Sequence, residues 1–408
     1  MSKWEEKRLE DIIDVNPPVK LKKGESYPFI DIDKVSPTRR SVTNEEVKVY
    51  DGQSSSKFCD GDTVFSRITP CLENRKIAKV AIEGDAAFGS TEFYVFRAKK
   101  KKADARFTYY LTSSDAVVLP AINSMTGASG RQRADKRFIQ RLKLNLPDLP
   151  TQERIADILS AYDDLMEANN HRIELLEQTA QELYREWFVR FRFPGYENAK
   201  FEDGIPEGWS YVRFGKAIDI IDGDRGVNYP KQEEFYPEGD CLFLNAGNVT
   251  SKGFNFSACS YITKEKDSIL RKGKLQHGDV VLTTRGTVGN VAFYNETMTI
   301  SEKRINTGMV IMRNPGVVSP EYIYTSLHHE YLQKLMTMYA SGSAQPQLPI
   351  KDMKRMKIIK PDAKTMERFT EMSADIYNQI SLLIMKNQTL AKQRDMLLPR
   401  LMSGKLEV

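Results

Sequence analysis

Arg131, Gln132 and Arg133 stand in a row behind Met125-Thr126-Gly127-Ala128-Ser129-Gly130. A second stretch, Tyr339-Ala340-Ser341-Gly342-Ser343-Ala344-Gln345-Pro346-Gln347, repeats the arrangement with hydroxyl and amide groups. Guanidinium and carboxamide groups are planar and rich in donors. Their natural chemistry is therefore bidentate hydrogen bonding to a flat acceptor edge: a carboxylate, a phosphate or a nucleobase. Arg67, Arg75 and Lys76 in the first half, and Arg225, Arg285, Lys303 and Arg304 in the second, sit on loops at the ends of strand-like runs. Together with Arg131, Gln132, Arg133, Ser343, Gln345 and Gln347 they are the candidate nucleic-acid contacts. The loop clusters carry this expectation as groups, since any single member can equally meet a phosphate or solvent. Lys99-Lys100-Lys101-Lys102 reads as a solvated turn.

No catalytic constellation is legible in the sequence. Asn16-Pro17-Pro18-Val19 departs at its fourth residue from the Asn-Pro-Pro-aromatic loop that holds a target amine in amino-methyltransferases, and no cofactor-type glycine loop precedes it. Gly286-Thr287-Val288-Gly289 lies between strand-like runs, which does not suit a dinucleotide site. There is no phosphate-binding Walker loop, and Pro361-Asp362-Ala363-Lys364 lacks the paired acids of a nuclease. His171, His277, His328 and His329 have no metal-ligand spacing, and Cys59, Cys71, Cys241 and Cys259 never form a Cys-x-x-Cys pair. Binding surfaces without a reaction centre, no bound metal and a reducing cytoplasm are the expectations. No apolar run approaches the roughly 20 residues of a membrane helix, so no membrane partner is expected.

Charge is unevenly divided. Residues 151–190 hold 4 Lys/Arg against 9 Asp/Glu, a net of −5, so the remainder must carry +10 for the chain to total +5. A phosphate-bearing partner leaves such a mark.

The elements that must position these loops occur twice. Gly61-Asp62-Thr63-Val64-Phe65-Ser66-Arg67 answers Gly278-Asp279-Val280-Val281-Leu282-Thr283-Thr284-Arg285, each a turn opening a buried strand. Strands at 91–96 and 307–312 each end at an arginine, Arg97 or Arg313, and each precedes a short aromatic helix. After the two glycine-rich loops, basic strands end at Pro147 and Pro361, and long helices begin. Apolar residues then recur at alternating steps of four and three from Ile155 to Trp187, through Asn169, Leu176 and Leu183. They do so again from Ile376 to Leu401, through Leu383, Asn387 and Leu390. Thr151 is the expected N-cap of the first helix. The acidic first helix and the mildly basic second suit antiparallel pairing, with Asn169 expected near Asn387. Trp187 lies on the seam and reads as core, whereas Phe188, just off it, is the expected site for docking a partner.

Leu146-Pro147-Asp148-Leu149-Pro150-Thr151-Gln152-Glu153-Arg154-Ile155, with Leu183-Tyr184-Arg185-Glu186-Trp187-Phe188, resembles the central conserved region of type I restriction-modification specificity subunits. Gln393-Arg394-Asp395 through Leu401-Met402-Ser403-Gly404 resembles the distal one, while Asp362 to Arg368 departs from the first copy's pattern. The resemblance implies an α+β chain with two similar target recognition domains, each a twisted sheet with short helices. These are residues 1–150 and 192–363, separated by antiparallel spacer helices at 151–191 and 364–408 in a pseudo-twofold repeat. It further implies a non-catalytic subunit that reads a split, asymmetric site on double-stranded DNA and docks two methyltransferase subunits. S-adenosylmethionine, ATP and Mg would belong to partner subunits, and two motor-nuclease subunits can join. The rival reading is a protein-binding adaptor built from duplicated domains.

Overall fold

A computed structural model describes residues 4–37, 39–43, 46–256, 258–298, 302–342 and 346–408. The chain divides into two compact units, one formed by Met1–Ala168 with Asn387–Val408 and the other by Asn169–Lys386.

In the first unit, the all-buried run Thr63–Ser66 is the central strand of a five-stranded sheet. The strand order is Ile13–Val15, Phe93–Ala98, Thr63–Ser66, Ile77–Val80, Ser41–Val42. A strand apolar on both faces must be covered on both. Phe65 packs with Phe96 and Phe107 under helices Ala105–Ser113 and Asp115–Asn123, while Val64 packs with Ile30 and Phe58 of a second, four-stranded sheet.

The second unit repeats this plan. Its sheet runs Asp219–Asp222, Met309–Arg313, Asp279–Thr283, Val291–Tyr294, with every residue of Asp279–Thr283 buried. Val280 and Leu282 meet the helix side and Val281 the opposite layer. Helices Pro320–His328 and Glu330–Tyr339 take the places of the pair in the first unit. An outer ladder also recurs, Trp4–Arg8 with Lys143–Pro147 and Ser210–Arg213 with Lys357–Lys360.

The repeat extends to single atoms. Gly61 and Gly278 have φ of +79° and +87°, a conformation that favours glycine. The aspartate after each is buried, and the strand-end arginine grips it through two bonds. Arg97 donates to Asp62 at 2.7 and 2.6 Å, and Arg313 to Asp279 at 2.7 and 2.7 Å. Each carboxylate also accepts a turn amide, from Cys59 or Gln276, at 2.7 Å.

Two long helices, Leu149–Tyr184 and Ala363–Met402, follow the outer ladders. The first is capped by Asp148, not by Thr151 as expected: the Asp148 carboxylate accepts the Thr151 amide at 3.2 Å, one turn earlier than the seam suggests. Asp362 does the same for Thr365 at 3.0 Å. Within each unit the two helices pair antiparallel. In the first, Arg394 donates to the buried Asp163 at 2.5 Å and Asn387 to the Met166 carbonyl at 3.4 Å. In the second, Arg172 donates to Gln379 at 3.0 Å, and Ile173 and Ala180 pack with Tyr377 and Ile380, flanked by Leu176 and Leu383. Leu183 packs on the aromatic core and Leu390 is half-buried. Of the two seam asparagines, Asn169 is a buried residue of the second unit and Asn387 belongs to the first.

Phe188 requires correction. It is buried, with ring centroids 4.8 Å from Tyr322 and 4.9 Å from Phe369, and Trp209 and Tyr184 close by. The cause is a π-helical turn, Arg185–Val189, at the end of the first long helix. Its wider repeat shifts the phase by one residue, so Trp187 and Phe188 both face inward. Phe188→Ala should therefore cost about 3–5 kcal/mol of stability. Urea unfolding followed by tryptophan fluorescence checks this, and a cost near zero would return the side chain to the surface.

Candidate nucleic-acid interface

In each unit two loops are laced into one ledge at the end of the central buried strand. In the first, the Arg67 amide donates to the Glu92 carbonyl (2.9 Å), Ala134 to Arg67 (2.8 Å) and Thr69 to Gln132 (3.0 Å), while Thr126 and Arg133 exchange bonds of 3.1 and 2.9 Å. In the second, Thr284 donates to Gly308 (2.8 Å), Leu348 to Thr284 (2.9 Å) and Gly286 to Pro346 (3.3 Å), while Ser341 and Gln347 exchange bonds of 2.9 and 2.8 Å. The bridge Ile68–Arg133 has its counterpart in Arg285–Gln347. The backbone frames are thus the same, and equivalence follows residue by residue: Arg67 with Thr284, Glu92 with Gly308, Arg133 with Gln347.

The side chains on the frames differ. In the first unit Arg133 donates to Glu92 at 2.9 and 2.6 Å, and Arg67 to the same carboxylate at 3.2 Å. Arg67 also lies 5.4 Å from the Tyr94 ring centroid, and the Tyr94 hydroxyl ties the ledge from below through the Ala134 carbonyl at 2.7 Å. The hydrogen bond from Arg133 leads in holding the Glu92 carboxyl below the usual carboxylate range, against the opposing effect of burial and with help from Arg67. Arg131 is exposed and Gln132 half-buried on the same loop. In the second unit, Arg285 is half-buried at the turn and Gln347 exposed, while Ser343 and Gln345 lie outside the described residues.

Other candidates are placed elsewhere. Arg75, at φ +53°, donates to the Ser113 carbonyl at 3.1 Å and pairs with Asp115. Lys76 donates to the Ile32 carbonyl at 2.9 Å, which anchors it to another loop. Arg225 is half-exposed and pairs with Asp222 at 2.9 Å. Lys303 and Arg304 are corrections, because both are buried and serve the interior of the second unit. Lys303 places its ammonium 3.8 Å from the Tyr294 ring centroid, and burial pushes its pKa down to about 8. Arg304 donates to Asp267 and to the carbonyls of Lys272 (2.7 Å), Asp267 (2.8 Å) and Leu270 (3.0 Å). With four of its five N–H donors used inside the unit and the side chain buried, this guanidinium serves the interior and not a ligand.

Glu92 is the residue that the sequence reading missed. Its only signal is its place one residue ahead of strand Phe93–Ala98, where the second half has Gly308. Donors fixed on an exposed ledge suit a nucleic-acid edge or phosphate. Among the described residues, no group of three or more His, Cys, Asp or Glu is placed to hold a metal ion, and no helix is long and apolar enough to cross a membrane.

The family model of the type I restriction modification DNA specificity domain matches residues 1–178 and 206–389. The MjaIX specificity subunit of Methanocaldococcus jannaschii is 24% identical, with 99% of this chain and 94% of the relative covered. The MjaVIII specificity subunit from the same organism is 26% identical over 70% of this chain and 67% of the relative. Among solved structures, the S subunit of a type I restriction-modification system from M. genitalium shares the fold with a TM-score of 0.56 at 13% identity, covering 98% of this chain and 96% of that one.

Arg304→Ala should leave the buried Asp267 carboxylate with Lys274 in place of two cationic partners and cost about 3 kcal/mol, whereas Arg131→Ala should change stability by less than about 0.5 kcal/mol. Burial acts to raise the Asp267 pKa, but hydrogen bonds from Arg304, Lys274 and Cys241 hold it below the usual range. A carboxyl depressed in this way contributes stability that is present above about pH 4 and is lost as pH falls through the lower folded value. The Arg304→Ala penalty in urea melts should accordingly shrink in acid.

Proposed function

This chain belongs to the type I restriction-modification DNA specificity family, and on that premise we propose that each of its two units reads one half of a bipartite, asymmetric duplex site. One observation carries the reading: a single backbone frame, built twice, carries different side chains at equivalent positions, with exposed Arg133 on the first answered by exposed Gln347 on the second. Arg67, Glu92 and Arg133 stand on the first frame where Thr284, Gly308 and Gln347 stand on the second. Identical frames with unlike donor sets suit two half-sites of unlike sequence. Arginine matches guanine and glutamine matches adenine, each pairing worth roughly 1–3 kcal/mol of discrimination.

The helices, 36 and 40 residues long, each run without interruption from residues of one unit into residues of the other. At 1.5 Å per residue they extend about 54 and 60 Å. The relatives are named as specificity subunits of restriction enzymes. In this reading two methyltransferase subunits dock on the chain and supply S-adenosylmethionine chemistry at adenine. Motor-nuclease subunits using ATP and Mg can join them, while this chain chooses the sequence and catalyses nothing.

The full chain on a random duplex should lose roughly 10³-fold or more in affinity between 50 and 200 mM salt if six or more phosphates are neutralised. Selection from a randomised duplex pool should return a two-part motif with a fixed gap. Flat salt dependence together with no selected motif would favour the protein-binding adaptor instead.

A further inference from the structure

Glu92 sits at the centre of the first ledge and answers two guanidinium groups at once. Arg133 grips it through two bonds, Arg67 through one, and its side chain remains 20% exposed at the rim. We propose that Glu92 is a specificity-determining positioning residue: it locks Arg67 and Arg133 into one fork, so that this unit engages its half-site through a fixed donor plane rather than through loose cationic attraction. The inference rests on the reading of the units as half-site readers, and it adds the device that separates specific from non-specific contact in one of them.

Three observations converge on this role. The first is charge. Two guanidiniums and one carboxylate leave the fork itself with a single net positive charge, so phosphate anywhere along a duplex is attracted to it less than to two unpaired arginines. The second is preorganisation. Long side chains lose rotamer freedom when they bind, and a fork already fixed by a carboxylate and by the Tyr94 ring has less left to lose. The third comes from within the chain. Where the second frame has Gly308 in place of the carboxylate, it also has Thr284 and Gln347 in place of both arginines. At these three equivalent positions carboxylate and guanidiniums are present together or absent together, as expected if the acid is there to govern the two bases, and Arg285 of the second frame stands at the place of Ile68 instead. A purely structural acid would still be needed in the second unit, which builds the same frame without one. Because Arg133 keeps the carboxyl below its ordinary range, the lock stays charged throughout the neutral range.

Glu92→Gln in the full-length chain tests the role, by selection from a randomised duplex pool and by salt-titrated binding to a random duplex. Discrimination at one half-site should fall roughly tenfold, about the worth of one bidentate base contact. The other half-site serves as the internal reference and should stay unchanged, while non-specific affinity rises and its salt dependence steepens by about one phosphate contact. Arg133→Gln, which installs the residue that the second frame carries at Gln347, removes the lock from the other side and should relax the same half-site. Its fold is already exemplified in the chain. Equal loss at both half-sites, or unchanged selection in both variants, would overturn the inference alone. A wild-type chain that selects no sequence would overturn the functional reading and this inference with it.

Discussion

A buried carboxylate must have its charge answered, and both units are organised around one that does. Asp62 and Asp279 open the central strands at positions removed from water, where an unpaired charge would be costly. The arginine at the end of the neighbouring strand answers each with two hydrogen bonds, and the turn amide supplies a third. This contact fixes the register of two central strands, Thr63–Ser66 against Phe93–Ala98 and Asp279–Thr283 against Met309–Arg313. The ledges grow from the far ends of those same strands. Register there decides which residue faces which loop, because a slip of one residue would turn every side chain to the opposite face.

The long helices solve a separate problem with similar means. Their seams are apolar for most of their length, and one departure, Arg394, is matched by an opposite charge on the facing helix. Asp163 is buried in the first unit and takes bonds from Arg394 and from the Tyr110 hydroxyl, which joins the helix pair to the sheet-covering helix beside it. At the other end of the first helix, the π-helical turn places two successive aromatic residues in one core, where Phe188 packs among Tyr322, Phe369 and Trp209. Both helices start from the same device, an aspartate after a proline where the outer strand ends, at Pro147 or just past Lys360, and Asp362 is also held by the Trp209 indole at 3.0 Å. The fold thus spends its charged residues on corners and its apolar ones on seams.

On the ledges, backbone and side chain divide the labour. The backbone bonds are conserved between the two copies within the chain, while the side chains on them are free to differ. A frame held by main-chain bonds tolerates exchange of almost any exposed side chain, which is what a scaffold for changing sequence preference requires.

Much of this was legible in the residues. The duplication followed from the order of Gly-Asp turns, strand-end arginines and glycine-rich loops. The helix seams followed from spacings of four and three, and burial along both helices keeps to that phase until the π-turn. Local pattern suffices where a repeat period reports which face is buried. It fails where the decisive partner is far away in sequence. Arg304 and Lys303 look like loop cations, yet Asp267, 37 residues before Arg304, and the Tyr294 ring draw them inside. Arg67 and Arg133 look like independent donors, yet Glu92, 25 residues from one and 41 from the other, makes them one unit. The sequence determined that cations would gather at strand ends. Only the tertiary structure decided which of them face solvent, because a charge settles against the nearest opposite charge in space, and that distance is set by the folded chain.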